Sequence, residues 1–578
     1  MTTRDRRRPR HRHPRPTSLD PQDLGFTPRK PVPWLGPVLL AITGARVAIS
    51  EQFGAYLDKR ELQNAFPDDT FDHSGTGELW FDYVADLGDG FDATYSVAYL
   101  LAQPEIEVDG ERLPRGRVLV MGGDQVYPTA NDHAYEDRFR GPYRAAMPTP
   151  PPGDPVPTLY AVPGNHDWYD GLSAFLRTFA RREGTSIGGW RTAQTRSYFA
   201  LKLPQRWWLL AIDSQEGGYL DDPQLTYFKN VAKQLAPGDR IILATPNPSW
   251  VKAQESTREY DTIDYFLRKV IAPTGARVAL MLSGDLHHYS RYTLADEPPA
   301  VDDTAGGGLG GTGRQLITCG GGGAYLAATH TLPSKITVPP KQALPREASS
   351  GKEYKLARTY PSKARSLALA TGVFWRLPRR NASFLVLLGV LQTLLMLAIV
   401  DLRGRVLTTP VFVMVAATFG LTLFFAAGLT SGHRAAKHYI LGVTHGFVQV
   451  ALGVGGAAVW QELPMLHWPR PLPALTAGAF YGPVIAVLSA QVVALYLLIA
   501  GRLLVNVNEL FAGQGIQGYK AFLRLHIDTD GTLTIHPIGV DNISKHWTPT
   551  PAAASYEPWL EPADPLRPHR IEPPITLR

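Results

Sequence analysis

At 578 residues the chain is longer than one hydrophobic core usually holds, so two or more domains are expected. The formal net charge of +6 is unevenly spread, and nothing along the chain suggests nucleic-acid readout. A single cysteine, Cys319, excludes an intrachain disulfide and fits a reducing compartment.

Residues 1–32 form a basic tail. Between positions 4 and 15 it carries seven Arg, two His and two Pro against one Asp, too polar to bury a core. It reads either as an electrostatic contact with anionic lipid or as a solvated tail. Residues 33–79 are expected to be a helical lead-in. The apolar stretch Trp34 to Ile49 contains Pro37 and Arg46 and is too short to span, so an amphipathic helix on the membrane face or on the next domain is expected.

From 80 to 335, short apolar runs alternate with helical patterns, which predicts an α/β layered domain. Four polar clusters stand out: Asp86-Leu87-Gly88-Asp89, Gly123-Asp124-Gln125-Val126-Tyr127, Gly164-Asn165-His166-Asp167 and Gly284-Asp285-Leu286-His287-His288. The last three directly follow runs that read as buried strands (117–121, 158–162 and 277–282). Ligands at several strand exits converge on one rim of a sheet, where a polynuclear metal site can be built. Asp124 is the best candidate for a bridging carboxylate, because Gly123 permits a tight strand exit. Tyr127 offers a phenolate, which favours hard iron, Asn165 an amide oxygen and His287 a nitrogen, while His166 is placed to face substrate. Asp89 and Asp92 read as supporting carboxylates or helix caps. Two long loops are expected, 130–156 and 296–313.

Residues 336–380 read as a polar linker. Four charge-free stretches follow, 381–400, 406–432, 439–460 and 471–501, each long enough to cross a bilayer. They predict a four-helix transmembrane bundle over 381–505, with Pro483 kinking the fourth span. His445 and Gln449, one turn apart, read as a functional polar pair or an interhelical hydrogen bond. Lys and Arg flanking the spans favour a cytoplasmic catalytic half and two cytoplasmic termini. In 506–578, Phe522 to Ile538 reads as a β-hairpin turning at Asp530-Gly531 and docking on the catalytic domain, and the Pro-rich end beyond Trp547 is expected to be poorly ordered.

The order Asp-x-Gly, Gly-Asp-x-x-Tyr, Gly-Asn-His-Asp and Gly-x-x-His over roughly 80–330 resembles the calcineurin-like metallophosphoesterases, in the purple acid phosphatase variant. The resemblance implies a β-sandwich flanked by helices with a dinuclear site on its rim. It implies that Asp86, Asp124, Tyr127 and His287 hold one ion, that Asp124 and Asn165 help hold the other, and that His166, oriented by Asp167, faces the leaving oxygen. The expected ions are iron, manganese or zinc. The sequence departs from the pattern at Asp285, where the family has a histidine, and at Asn247, in a stretch where it has another. A second site of such oxygen ligands would favour manganese or magnesium.

The function expected is a phosphoesterase of the cytoplasmic membrane, acting at its cytoplasmic face on a nucleotide, a small phosphoester or a lipid headgroup. The alternative is a phosphoesterase-like sensor or scaffold with little activity, coupled to the membrane bundle.

Overall fold

The computed structural model describes residues 15–53, 63, 65–153, 155–181, 184–214, 220–295, 309–311, 313–340, 351–400, 408–427, 435–469 and 471–578. The basic run 4–14 and most of the 296–313 segment lie outside the described residues.

The chain is α/β: two large mixed sheets flanked by helices, plus four helices long and apolar enough to cross a membrane. One sheet has nine strands, ordered Phe71–Asp72, Phe199–Lys202, Trp207–Ala211, Arg240–Thr245, Arg277–Ser283, Gln315–Cys319, Tyr289–Leu294, Lys352–Tyr360 and Lys335–Val338. The other has ten, with Leu79–Val84, Val118–Met121 and Thr158–Ala161 running parallel near its middle. Of its central strands, Val118–Met121 reads as an unbroken apolar run because both faces are covered, and it is buried at every position. Phe81, Tyr83 and Val120 of this sheet meet Leu201, Leu209, Ile242 and Leu280 of the first in one core. Helix Phe91–Ala102 packs on the outer face of one sheet, and helix Asp222–Ala232 on that of the other.

The C-terminal hairpin joins the second sheet at its interior. Lys520–Ile527 pairs antiparallel with Leu79–Val84 on one side and Leu533–Val540 on the other. Arg524 stands opposite Asp82 and forms a two-pronged ion pair with it, at 2.8 and 3.1 Å, where both side chains are buried.

Three regions differ from the expectations above. Residues 130–156 are largely helical rather than a loop: Asn131 accepts from the Ala134 amide at 2.8 Å, and Tyr135, Phe139 and Tyr143 recur every fourth residue on one buried face. Residues 335–360 include two strands rather than only a linker: Lys335–Val338 at the sheet edge and Lys352–Tyr360 beside it. In Lys352–Tyr360, Tyr354 faces the core while neighbouring charged residues point to solvent, the pattern of a strand with one solvated face. The end beyond Trp547 is ordered: Trp547–Pro549 pairs with Leu560–Pro562, and Ile575–Leu577 pairs with Leu533–Val540.

The candidate spans are Ala382–Val400, Thr409–Ala427, Ala436–Gln461 and Leu472–Arg502. In the fourth, a π-helical turn at Ala477–Tyr481 immediately precedes Gly482-Pro483, where proline has no amide to continue the ladder. Gln449 joins three helices: its Oε1 accepts from Gln392 at 2.9 Å and Ser489 at 2.8 Å, and its amide meets His445 Nε2 at 3.2 Å.

Candidate metal centre

Each candidate ligand follows a parallel strand, and the strands end on one rim. Asp86, Asp124 and Asp285 all adopt left-handed backbone, with φ of 60°, 51° and 68°. That conformation costs on the order of 1 kcal/mol for a residue with a Cβ, and aspartate is among the few that tolerate it. Here it turns three carboxylates back toward the rim just past their strands. The loops are tied together: the Asp86 amide donates to the Gly123 carbonyl at 3.0 Å, and the Leu87 amide to the Asp124 carbonyl at 2.8 Å.

The side chains form a connected group. Tyr127 Oη donates to Asp124 Oδ2 at 3.1 Å and lies 3.0 Å from His287 Nε2. Asp124 Oδ1 accepts from the His166 amide at 2.9 Å. Asp86 Oδ1 accepts from the Asp285 amide at 3.0 Å. Asp86 Oδ2 and His287 Nδ1 are buried without a hydrogen-bond partner. Glycines make the room: a Cβ at Gly164 would overlap Asp124 Oδ1, and one at Gly320 would overlap Asp86 Oδ2.

Electrostatically the rim is crowded with carboxylates. Burial, then the charges of Asp124 and Asp285, push the Asp86 carboxyl well above the usual range. Burial raises Asp124 as well, with His166 opposing and Asp285 adding. Burial pushes His287 down to about 3, which keeps its ring neutral and able to ligate. Among the described residues no three His, Cys, Asp or Glu side chains already stand as a ligand set. The Tyr127 hydroxyl lies between Asp124 and His287 and holds both by hydrogen bonds. The unpartnered Asp86 oxygen, the neutral imidazole and the crowded carboxylates nevertheless fit a cation held by Asp86, Asp124, Tyr127 and His287.

The remaining expected ligands are arranged differently. The Asn165 amide nitrogen donates to Tyr169 Oη at 3.3 Å. Asn247 Oδ1 accepts from Ser249 Oγ at 2.8 Å. Asp285 Oδ2 forms an ion pair with Lys252 Nζ at 2.8 Å. Burial alone would lower the Lys252 ammonium, but attraction to Asp285, with smaller help from Glu259 and Asp124, outweighs it and the net shift is upward.

Asp167 does not orient His166, contrary to expectation. It accepts from the Gly164 amide at 2.9 Å, the Gln125 amide at 3.3 Å and Tyr135 Oη at 2.5 Å, and so fixes the loop that presents Asn165. His166 is held instead by the Pro128 carbonyl, 2.7 Å from Nδ1. The proton must sit on Nδ1, and Nε2 is the atom left for chemistry.

Sequence reasoning missed Trp34, Lys252 and Tyr325. The Trp34 ring lies 5.7, 5.8 and 5.4 Å from those of Tyr127, His166 and Tyr325 and roofs the site. Tyr325 packs edge-on against His287 at 4.6 Å and donates to Asn508 Oδ1 at 2.6 Å, a few residues past the fourth span. Asp89 caps no helix: it receives the amides of Val32 at 2.8 Å and Tyr325 at 3.1 Å and pins both segments. Asp92 receives the Trp547 indole at 3.0 Å.

No protein-family model matches the sequence, and no curated protein matches it. A solved structure described as "Structure of PhoD" is similar at 11% identity, over 45% of this chain and 59% of that one, with a TM-score of 0.27. The chain therefore spans less than two thirds of that structure's length.

Proposed function

We propose that the chain is a membrane-anchored, metal-dependent phosphoesterase of the calcineurin-like type, acting at the cytoplasmic face on phosphoesters presented by the membrane. The observation that carries this reading is the convergence of Asp86, Asp124, Tyr127 and His287 with an unpartnered, fully buried carboxylate oxygen among them. The site has two cationic positions, the first among these four residues and the second bordered by Asp124, Asn165 and Asp285.

A cation held at the first position supplies the charge that acidifies a water and offsets the phosphoryl oxygens. The protein groups do the rest. The Pro128 carbonyl fixes the His166 ring, so Nε2 can carry a proton to the leaving alkoxide. Trp34 covers that ring and limits water at the reacting centre. Asp167 sets the Asn165 loop.

The surroundings of the rim support a substrate presented by the membrane. Tyr325 connects His287 to Asn508, and Leu326 packs in one cluster with Val373, Leu497 and Phe511 beside the spans. Helix Pro37–Phe53 follows Trp34, contacts the first span and exposes Val38 and Ile42. A groove of about 390 Å³ lined by Arg376, Arg379, Arg380 and Lys545 adjoins the start of that span, as expected of a surface facing anionic cytoplasmic lipid. These features favour a lipid headgroup phosphoester as the substrate.

The test compares hydrolysis of phospholipid in vesicles with that of a soluble nucleotide and generic mono- and diesters, with and without Mn²⁺. Metal-dependent hydrolysis that favours lipid supports the reading. A metal-loaded protein that cleaves none of them is a sensor or scaffold.

A further inference from the structure

The second cationic position is short of free ligands for a second ion. One of the two Asp285 carboxylate oxygens, Oδ2, is held by Lys252 Nζ at 2.8 Å. The Asn247 oxygen is taken by Ser249 Oγ at 2.8 Å. With these engaged, Asn165 contributes one amide oxygen and Asp124 is shared with the first position. Divalent cations of the kind expected here take about six oxygen ligands.

We propose that Lys252 is the second cation of this centre, so that the site works with one metal ion and one fixed ammonium. The inference rests on the phosphoesterase reading above. Lys252 ends the short helix Ser249–Lys252, directly beyond the Arg240–Thr245 strand, and so enters the rim from the strand neighbouring the one that delivers Asp285. Its side chain is 32% exposed and its partner carboxylate 16%, so the ammonium reaches in from the open side rather than being sealed in the core. Its partner Asp285 is itself tied to the first position, because the Asp285 amide donates to Asp86 Oδ1 at 3.0 Å.

The chemistry differs from that of two ions in a defined way. In a two-metal centre the ions stand about 3.5–4 Å apart and clamp both the attacking and the leaving oxygen. An ammonium is a compact point charge with three N–H donors and no coordination sphere. At this position Lys252 can bind and neutralise a phosphoryl oxygen, but it cannot ligate a bridging hydroxide. Oxygen-rich second-site ligands, in place of the two histidines expected from the family resemblance, suit a lysine partner as well as a hard ion.

The test is metal stoichiometry of the full chain in detergent, stripped by chelator and titrated with Mn²⁺, read by elemental analysis and Mn²⁺ electron paramagnetic resonance. The wild type is expected to saturate at one ion per chain with an uncoupled signal. Lys252→Ala is expected to admit a second ion and give an exchange-coupled signal, while Lys252→Arg stays at one. A thermal melt of each variant confirms that it is folded. Two ions in the wild type would overturn this inference and leave the phosphoesterase reading intact, as would one ion in both the wild type and Lys252→Ala. No ion in any form would overturn the metal-dependent reading itself.

Discussion

Replacing Arg524 by methionine tests whether the C-terminal hairpin is part of the sheet that carries the site. The guanidinium makes two bonds to Asp82 and one to the Leu113 carbonyl, at 3.0 Å, and is fully buried. Methionine fills a similar volume but leaves the buried Asp82 carboxylate with the Gly116 amide, at 3.1 Å, as its donor. A buried charge stripped of its partner costs about 3–5 kcal/mol. At the middle of that range, about 4 kcal/mol lowers the melting temperature of a 150–250-residue unit by roughly 8–16 °C. The assay is intrinsic-fluorescence melting of the full chain in detergent at one fixed scan rate. Adding Asp82→Leu removes the stranded charge, and the double variant is expected to recover most of the loss. An Arg524→Met protein that melts with the wild type would refute the reasoning, because the hairpin would then not depend on the pair.

Gly320→Ala places a methyl group against Asp86 Oδ2 and 2.5 Å from the Leu286 carbonyl oxygen, so metal uptake should fall and the melting temperature should drop with it; unchanged uptake by titration would contradict it. His166→Ala should lower turnover by roughly 10²- to 10⁴-fold with metal content near wild type, and an equal loss of metal would make His166 a ligand. Burial lowers the Lys520 ammonium from 10.5 to about 8, with Asp89 and Asp86 opposing. The fold then holds fewer protons than the unfolded chain between those values, so stability should rise with pH across that window, by up to about 3 kcal/mol. Lys520→Met should flatten that rise in melts taken across the window.

The rim was legible in the sequence because metal chemistry uses few residue types and strand exits follow apolar runs. The spans were legible because crossing lipid demands about twenty uncharged residues. What stayed hidden depends on contacts across long separations. Asp82 and Arg524 lie 442 positions apart, and nothing near either announces the other. Trp34 reads as the start of an apolar helix until the fold sets it over His166. Lys252 reads as a surface residue until Asp285 arrives beside it. Asp167 next to His166 suggests an orienting pair, but the helical turn Asn165–Trp168 points it back to its own N-terminus. The 130–156 stretch hid its helices behind prolines and charge, although its aromatic residues kept the four-residue spacing.

The central claim is that Asp86, Asp124, Tyr127 and His287 share a cation. Anomalous scattering from a Mn²⁺-loaded crystal tests it most directly. The account predicts a peak within bonding distance of those four side chains, beside the Lys252 ammonium. A loaded crystal with no peak there, or with its manganese bound elsewhere, would contradict it.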